Sequence, residues 1–155
     1  MQFFGTYNHK IDAKGRVALP AKFRRAYERA QASGEIDTIE LVAKLSPSKD
    51  CLYVFTTEDF DFWVEEIFEV QGGFNPRNKK DEVLMRALRG ADVESIEIDS
   101  AGRINIPLSL RESANLSGEV CFVGNSGRFE IWNANSLNDE LKEVNLESLL
   151  YSDED

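Results

Sequence analysis

The chain has 155 residues, 42% of them hydrophobic, with a formal net charge of −10. That is room for one domain or for two units of about 70 residues each, too apolar for a disordered chain and without the run of about 18 apolar residues that a membrane span needs. The overall charge argues against a polyanionic partner, but residues 1–30 carry seven Lys and Arg against two Asp and Glu, so a basic face sits on an acidic body.

The start, "MQFFGTYNHK", has no apolar core or cleavage site of a secretory signal, and a cytoplasmic protein is expected. Thr6 to Asp12 alternates Tyr7, His9 and Ile11 with polar neighbours and predicts a strand. "DAKG" follows as a tight turn, because an Asp carboxylate accepts nearby backbone N–H groups and Gly supplies positive φ. Arg16 to Leu19 reads as a second strand. Pro20 then opens a helix over Ala21 to Ala32 with Phe23, Ala26, Tyr27 and Ala30 on its buried face.

Strands are predicted at Ile36 to Leu45 and Cys51 to Phe55, joined by "SPSKD". Thr57 is placed as the N-cap of a helix with an apolar face of Phe60, Trp63, Val64, Ile67 and Phe68. Asn75-Pro76 is placed as the start of a second helix through Leu88, ended by Gly90. Beyond it come Ile96 and Ile98, the "DSAG" turn, a strand over Arg103 to Ile106, Pro107, and a short helix to about Ala114. Strands at Val120 to Val123 and Phe129 to Trp132 precede a final helix, capped by Asn135 or Ser136, that runs to about Leu150. "YSDED" reads as a frayed acidic tail. Cys51 and Cys121 lie in apolar runs and are expected to be buried free thiols. With no CxxC and one histidine, neither a metal site nor a cofactor is expected.

The second half repeats the first. "HKIDAKGRVALPAKFR" and "IEIDSAGRINIPLSLR" align at an offset of 87, and "LYVFTTEDFDFWVEEI" matches "FEIWNANSLNDELKEV" at 77. The shortfall of ten puts extra residues in the first unit's helix and hairpin. Two half-cores, neither large enough alone, predict an α+β fold with pseudo-twofold symmetry around a shared barrel. In each copy an arginine directly follows an Asp-x-x-Gly turn: Asp12, Gly15 and Arg16, then Asp99, Gly102 and Arg103. A purely structural Asp–Arg pair inside each hairpin is the plain reading of such a motif.

"MQFFGTYNHKIDAKGRVALPAKFR" and "DSAGRINIPLSLRESANLSGEVCFVGNSGRFEIW" closely resemble the two halves of MraZ transcriptional regulators, built from two SpoVT-AbrB-type units. The resemblance implies a tandem swapped-hairpin, AbrB-like β-barrel with peripheral helices. Its units would span residues 5–57 and 91–134, with a helical connection over 58–90 and a C-terminal helix and tail over 135–155. It further implies a ring-shaped homo-oligomer in the cytoplasm and on the nucleoid. That oligomer would bind repeated boxes in double-stranded DNA upstream of the cell-wall and division gene cluster and regulate it. The paired Asp-x-x-x-Arg turns would carry the contact.

Within that expectation Arg16 and Arg103 are the base readers, since arginine takes guanine O6 and N7 bidentately. Lys14 suits a phosphate, and Lys10, Lys22 and Arg24 add positive field; Arg25 and Arg29 read as a solvated face. Ala101 stands where the first turn has Lys14, so the second turn is one cation poorer. A single chain offers few phosphate contacts, so tight binding calls for several chains on repeated boxes. The aromatic run "FDFWVEEIFEV" fits an oligomer contact. Two other readings compete. One is a protein-interaction or antitoxin-like module without DNA. The other is an enzyme using Asp59, Asp61, Glu65, Glu66 and His9, for which no nucleophile–base pair, phosphate loop or metal spacing is present.

Overall fold

The structure, a computed structural model, describes residues 1–36, 39–142 and 144–151. Among the described residues, eight strands and six helices follow one another as β1 (Thr6–Ile11), β2 (Arg16–Ala18), α1 (Ala21–Ala32), β3 (Leu41–Leu45), β4 (Cys51–Thr56), α2 (Thr57–Glu69), α3 (Lys79–Gly90), β5 (Val93–Ile96), β6 (Arg103–Asn105), α4 (Leu108–Ser113), β7 (Gly118–Asn125), β8 (Arg128–Asn133), α5 (Ala134–Lys142) and α6 (Leu146–Leu150). The fold is α+β, with antiparallel pairing in both of its sheets.

Six strands form one sheet in the order β1-β7-β8-β4-β3-β5, and β2 pairs with β6 in a separate ribbon. Pairing crosses between the halves. The first strand of each half lies beside the third strand of the other, β1 on β7 and β5 on β3. The pairings β2–β6 and β4–β8 join equivalent strands. Val17 opposes Ile104, its own equivalent at offset 87, and Tyr53 opposes Glu130, its equivalent at 77. The pseudo-dyad therefore passes through both points. β1 and β5 are the ends of the hydrogen-bonded order, and no pairing among the described strands closes one onto the other.

Register also locates the extra residues. Leu41 occupies in the first half the position that Val120 occupies in the second, an offset of 79. Eight of the ten additional residues thus fall in α1 and the segment after it, and two in the turn between β3 and β4.

The main core lies where α1 and the ribbon cover one face of the sheet. Phe23, Tyr27, Phe122 and Phe129 are fully or almost fully buried. Phe23 stacks at 5.1 Å on Phe129, and Phe3 packs edge-on at 5.2 Å from Phe23. Truncating a ring of this kind to Ala costs about 3–5 kcal/mol. Val42, Phe55, Phe60, Val64, Phe68 and Leu88 build a second cluster under α2 and α3. Lys44, buried in that sheet, donates through Nζ to the carbonyls of Ala87 and Ala91 at 2.6 and 2.5 Å. Its charge thereby meets the negative end of α3.

Several boundaries differ from those expected. Thr56, not Thr57, caps α2, its Oγ1 accepting from the Asp59 N–H at 3.1 Å. α3 starts after Asn78, whose Oδ1 accepts from Lys80 and Asp81. Asn75-Pro76 instead forms a turn, because Asn75 Oδ1 accepts from Arg77 N–H and Asn75 N–H donates to the Asp81 carboxylate. Gly90 is the last residue of α3. β3 begins at Leu41; of the longer strand expected there, Asp37 and Thr38 lie outside the described residues. The single final helix is two, α5 after Asn133 and α6 capped by Asn145. Residues 152–155 of the expected acidic tail also lie outside the described residues. Cys51 and Cys121 are buried and free, as expected.

Candidate nucleic-acid interface

Both Asp-x-x-Gly-Arg turns have the same geometry. Asp12 Oδ1 accepts from the backbone N–H of Lys14 and of Arg16, each at 2.9 Å, and Oδ2 accepts from Arg16 Nε at 2.9 Å. Asp99 does the same with Ala101 and Arg103 at 2.9 Å and with Arg103 Nε at 3.0 Å. Backbone bonds complete each loop, from Gly15 N–H to the Asp12 carbonyl and from Gly102 N–H to the Asp99 carbonyl, both at 3.0 Å. The Arg16 backbone N–H, then its guanidinium, hold the Asp12 carboxyl below the usual carboxylate range, and Arg103 does so for Asp99.

The structural Asp–Arg pair is therefore real, and it has a geometric consequence. Only Nε of each guanidinium is engaged, so the two terminal nitrogens of Arg16 and of Arg103 make no hydrogen bond among the described residues. Both arginines stay about two-fifths exposed.

The ribbon aims them together. Val17 and Ile104 point inward, each 1% exposed. Alternation then turns Arg16, Ala18, Arg103 and Asn105 outward. Arg16 opposes Asn105 and Ala18 opposes Arg103. The two arginines are diagonal neighbours on one face, about 7–8 Å apart by strand geometry. An open groove of about 620 Å³ runs beside them, lined by Ser95, Glu97, Ile98, Asp99, Asn105 and Pro107 as well as both arginines.

An arginine from the helix of the other half meets each turn. Arg111 of α4 donates through Nε to the Ile106 carbonyl at 2.8 Å and through Nη1 to the Ala13 carbonyl at 3.3 Å. Its equivalent at offset 87, Arg24 of α1, lies against Gly102 and pairs with Glu28 at 3.7 Å. Ile106 N–H donates to Gly15 at 2.8 Å, and Leu19 N–H donates to Gly102 at 3.0 Å. Gly15 and Gly102 have φ of +89° and +78°, where a side chain would strain the backbone and strike these partners.

The expected site residues thus divide. Asp12, Gly15, Arg16, Asp99, Gly102 and Arg103 form the two tips, with Lys14 exposed on the first. Arg24 reaches the second tip as a brace. Lys10 is exposed on β1 opposite Glu119. Lys22 lies elsewhere on α1, lining a shallow cavity with Phe4, Arg25 and Arg29. Sequence reading missed Arg111 as a brace and Asn105 as a face residue. The 87-residue repeat, which maps Arg24 onto Arg111, carried the signal for the first.

Of the residues considered for catalysis, Asp59, Asp61, Glu65 and Glu66 lie on α2 and His9 on β1, and three of them are in structural contacts. Asp59 accepts from Thr56 Oγ1, Asp61 pairs with Arg89 at 2.7 Å, and His9 packs on Phe122. Among the described residues no group of three or more His, Cys, Asp or Glu side chains is placed to hold a metal ion, and no helix is long and apolar enough to cross a membrane.

Fold and site together define a tandem-repeat protein whose two halves present paired Asp–Arg tips across a pseudo-dyad. The sequence model of the MraZ protein family, whose description adds "antitoxin-like", matches residues 2–72 and 88–154. The chain is 36% identical over 132 residues to a protein named transcriptional regulator MraZ from Lachnoclostridium phytofermentans, covering 84% of this chain and 80% of that one. The chain belongs to the MraZ family.

Proposed function

We propose that this protein is a transcriptional regulator that binds double-stranded DNA through the outward face of the β2–β6 ribbon. Arg16 and Arg103 read bases there, and Lys14 contacts phosphate. The observation that carries this reading is the orientation of the two arginines. Each is locked through Nε by an aspartate, with both terminal nitrogens unengaged, on one exposed face. A two-stranded ribbon fits the major groove, about 12 Å wide, and a guanidinium end matches guanine O6 and N7. Pre-positioning by aspartate removes most of the rotamer cost of placing a long side chain.

The crossed strand pairing supports a swapped-hairpin unit in which two halves, residues 5–57 and 91–134, complete one another, with 58–90 and 135–155 as additions. The chain works as a homo-oligomer, in ring form, on repeated promoter boxes of the cell-wall and division cluster, in the cytoplasm at the nucleoid. One ribbon offers too few charges for tight binding alone, and linked copies on repeated boxes raise the effective concentration of each next contact. The acidic remainder keeps the body off non-specific DNA.

A second reading has one observation in its favour. Leu146, Leu149, Leu150 and Tyr151 are exposed around α6, as a protein-interaction or antitoxin-like module would require. Fluorescence anisotropy separates the two. A labelled duplex from upstream of the protein's own gene cluster is titrated against a scrambled duplex over a range of salt. Regulation through DNA predicts preference for the native duplex at every salt and a log–log slope that grows with the number of phosphates met. Equal, weak binding to both duplexes leaves the interaction module.

A further inference from the structure

The ribbon is symmetric in its arginines and asymmetric in what stands beside them. The offset of 87 carries Arg16 onto Arg103 and Ala18 onto Asn105. Across the ladder, Arg16 therefore has Asn105 as its neighbour, while Arg103 has Ala18. Both neighbours are exposed on the outward face, and the Asn105 side-chain amide has no partner among the described residues. An unengaged amide on an exposed strand has no packing role to explain it. It also loses no internal bond when it meets a ligand.

Charge breaks the dyad as well. The first tip, at the Arg16–Asn105 end, carries Lys14, whose equivalent is Ala101. Lys10 corresponds to Glu97, which lines the groove beside the arginines. The antiparallel Ile98–Ile104 bridge puts Glu97 in register with Asn105, and the equivalent register puts Lys10 level with Ala18, so the Arg16 end presents an amide, Lys14 and a carboxylate, and the Arg103 end a methyl group and Lys10.

We infer that Asn105 is a specificity-determining residue that reads an adenine next to the guanine taken by Arg16, so that one ribbon recognises a directional, non-palindromic element. The inference rests on the DNA-reading function proposed above. Asparagine pairs bidentately with adenine N6 and N7, whereas alanine offers only apolar contact of the kind a thymine methyl accepts. The two guanines read by Arg16 and Arg103 are then related by the dyad, and their neighbouring bases are not. The more cationic first tip sets which way the ribbon lies on the duplex.

The test is selection and sequencing from a randomised duplex pool, followed by anisotropy on single-box duplexes, with the full-length wild type, Asn105→Ala and Ala18→Asn. Wild type should select an asymmetric element. Asn105→Ala should lose preference at one base position by about tenfold, the size of one bidentate base contact, with the arginine-read positions and the salt slope unchanged. Ala18→Asn should gain an adenine preference at the mirrored position and move the element toward a palindrome. A palindromic wild-type element, or an unchanged element with Asn105→Ala, overturns the role of Asn105 while leaving DNA reading intact. A wild type that selects no element removes the DNA-reading function itself.

Discussion

Arg111 in the second half donates through Nη1 to the carbonyl oxygen of Ala13 in the first-half turn, 98 residues earlier, at 3.3 Å. The same side chain closes on Ile106 at 2.8 Å. The first tip therefore depends on the opposite half for its shape. Arg111→Ala should lower stability by about 1–3 kcal/mol, as expected when a charged hydrogen bond to a partly buried carbonyl, here that of Ile106, is removed with the exposed one to Ala13. It should also raise amide hydrogen exchange at Lys14, Gly15 and Arg16 beyond the global change. Urea unfolding with residue-resolved exchange checks both, and uniform exchange across the chain would show that Arg111 does not brace the turn.

Gly15 sits at φ +89°, and a Cβ there would lie 2.5 Å from the Ile106 carbonyl oxygen. That oxygen belongs to backbone and cannot swing aside. Gly15→Ala should cost about 1–2 kcal/mol from backbone handedness, plus the displacement of β6. By contrast, Gly34 also has positive φ, +81°, but meets nothing within 4 Å, so Gly34→Ala should carry only the backbone part. Thermal melts of the two variants side by side isolate the contact.

The Asp12 and Asp99 carboxyls have folded-state pKa values below their ordinary values. The unfolded chain then binds more protons in acid, so the contribution of these groups is complete above the ordinary aspartate value of about 3.9 and is lost as pH falls through the folded one. DNA binding should therefore show no aspartate-linked change between pH 5 and 8, on the order of the physiological window. NMR titration of the two carboxyls should give midpoints below those of exposed aspartates. A midpoint at or above the ordinary value would mean that the arginines are not locked.

Lys44 joins the sheet to the last turn of α3 through Ala87 and Ala91. Lys44→Met keeps much of the stem and removes the charge, leaving both carbonyls without that donor. Destabilisation of about 1–3 kcal/mol is expected, with fraying confined to the end of α3. Circular dichroism melts and exchange over residues 84–91 test it. Unchanged exchange there would assign α3 docking to Leu88 and its apolar neighbours alone.

The repeat was legible because two features recur at fixed spacing, the Asp-x-x-Gly-Arg turn and the Pro-led helix. The faces of α1 and α2 followed from their 3- and 4-residue apolar spacing, and Phe23, Tyr27, Phe60 and Val64 are buried as that spacing requires. What local signals do not encode is partner choice. "DAKG" reads as a tight turn within one half and is one, Asp12 N–H donating to the Arg16 carbonyl at 3.0 Å; not legible is that β2 also pairs with β6 of the other half, and only that crossing brings Arg16 beside Asn105 and Arg111 over Gly15. Asn75 and Asn78 are equally good caps by composition. Asp81 decides between them by accepting from the Asn75 N–H and folding the Asn75-Pro76 segment into a turn. The break between α5 and α6 had a local signal in Asn145, whose side chain accepts from Ser148 N–H at 3.0 Å.

The central claim is that the two aspartate-locked arginines read DNA. Its most direct test is a gel shift of wild type, Arg16→Ala and Arg103→Ala on the fragment upstream of the protein's own gene cluster, with scrambled competitor and with fold and assembly state checked in parallel. The account predicts specific binding by wild type. It predicts that each variant, still folded and assembled, loses at least tenfold in affinity for the native fragment, the weight of one bidentate base contact, while weak binding to scrambled DNA changes far less. Native-fragment affinity unchanged in both variants, or a wild type that does not distinguish the two DNAs, would contradict it.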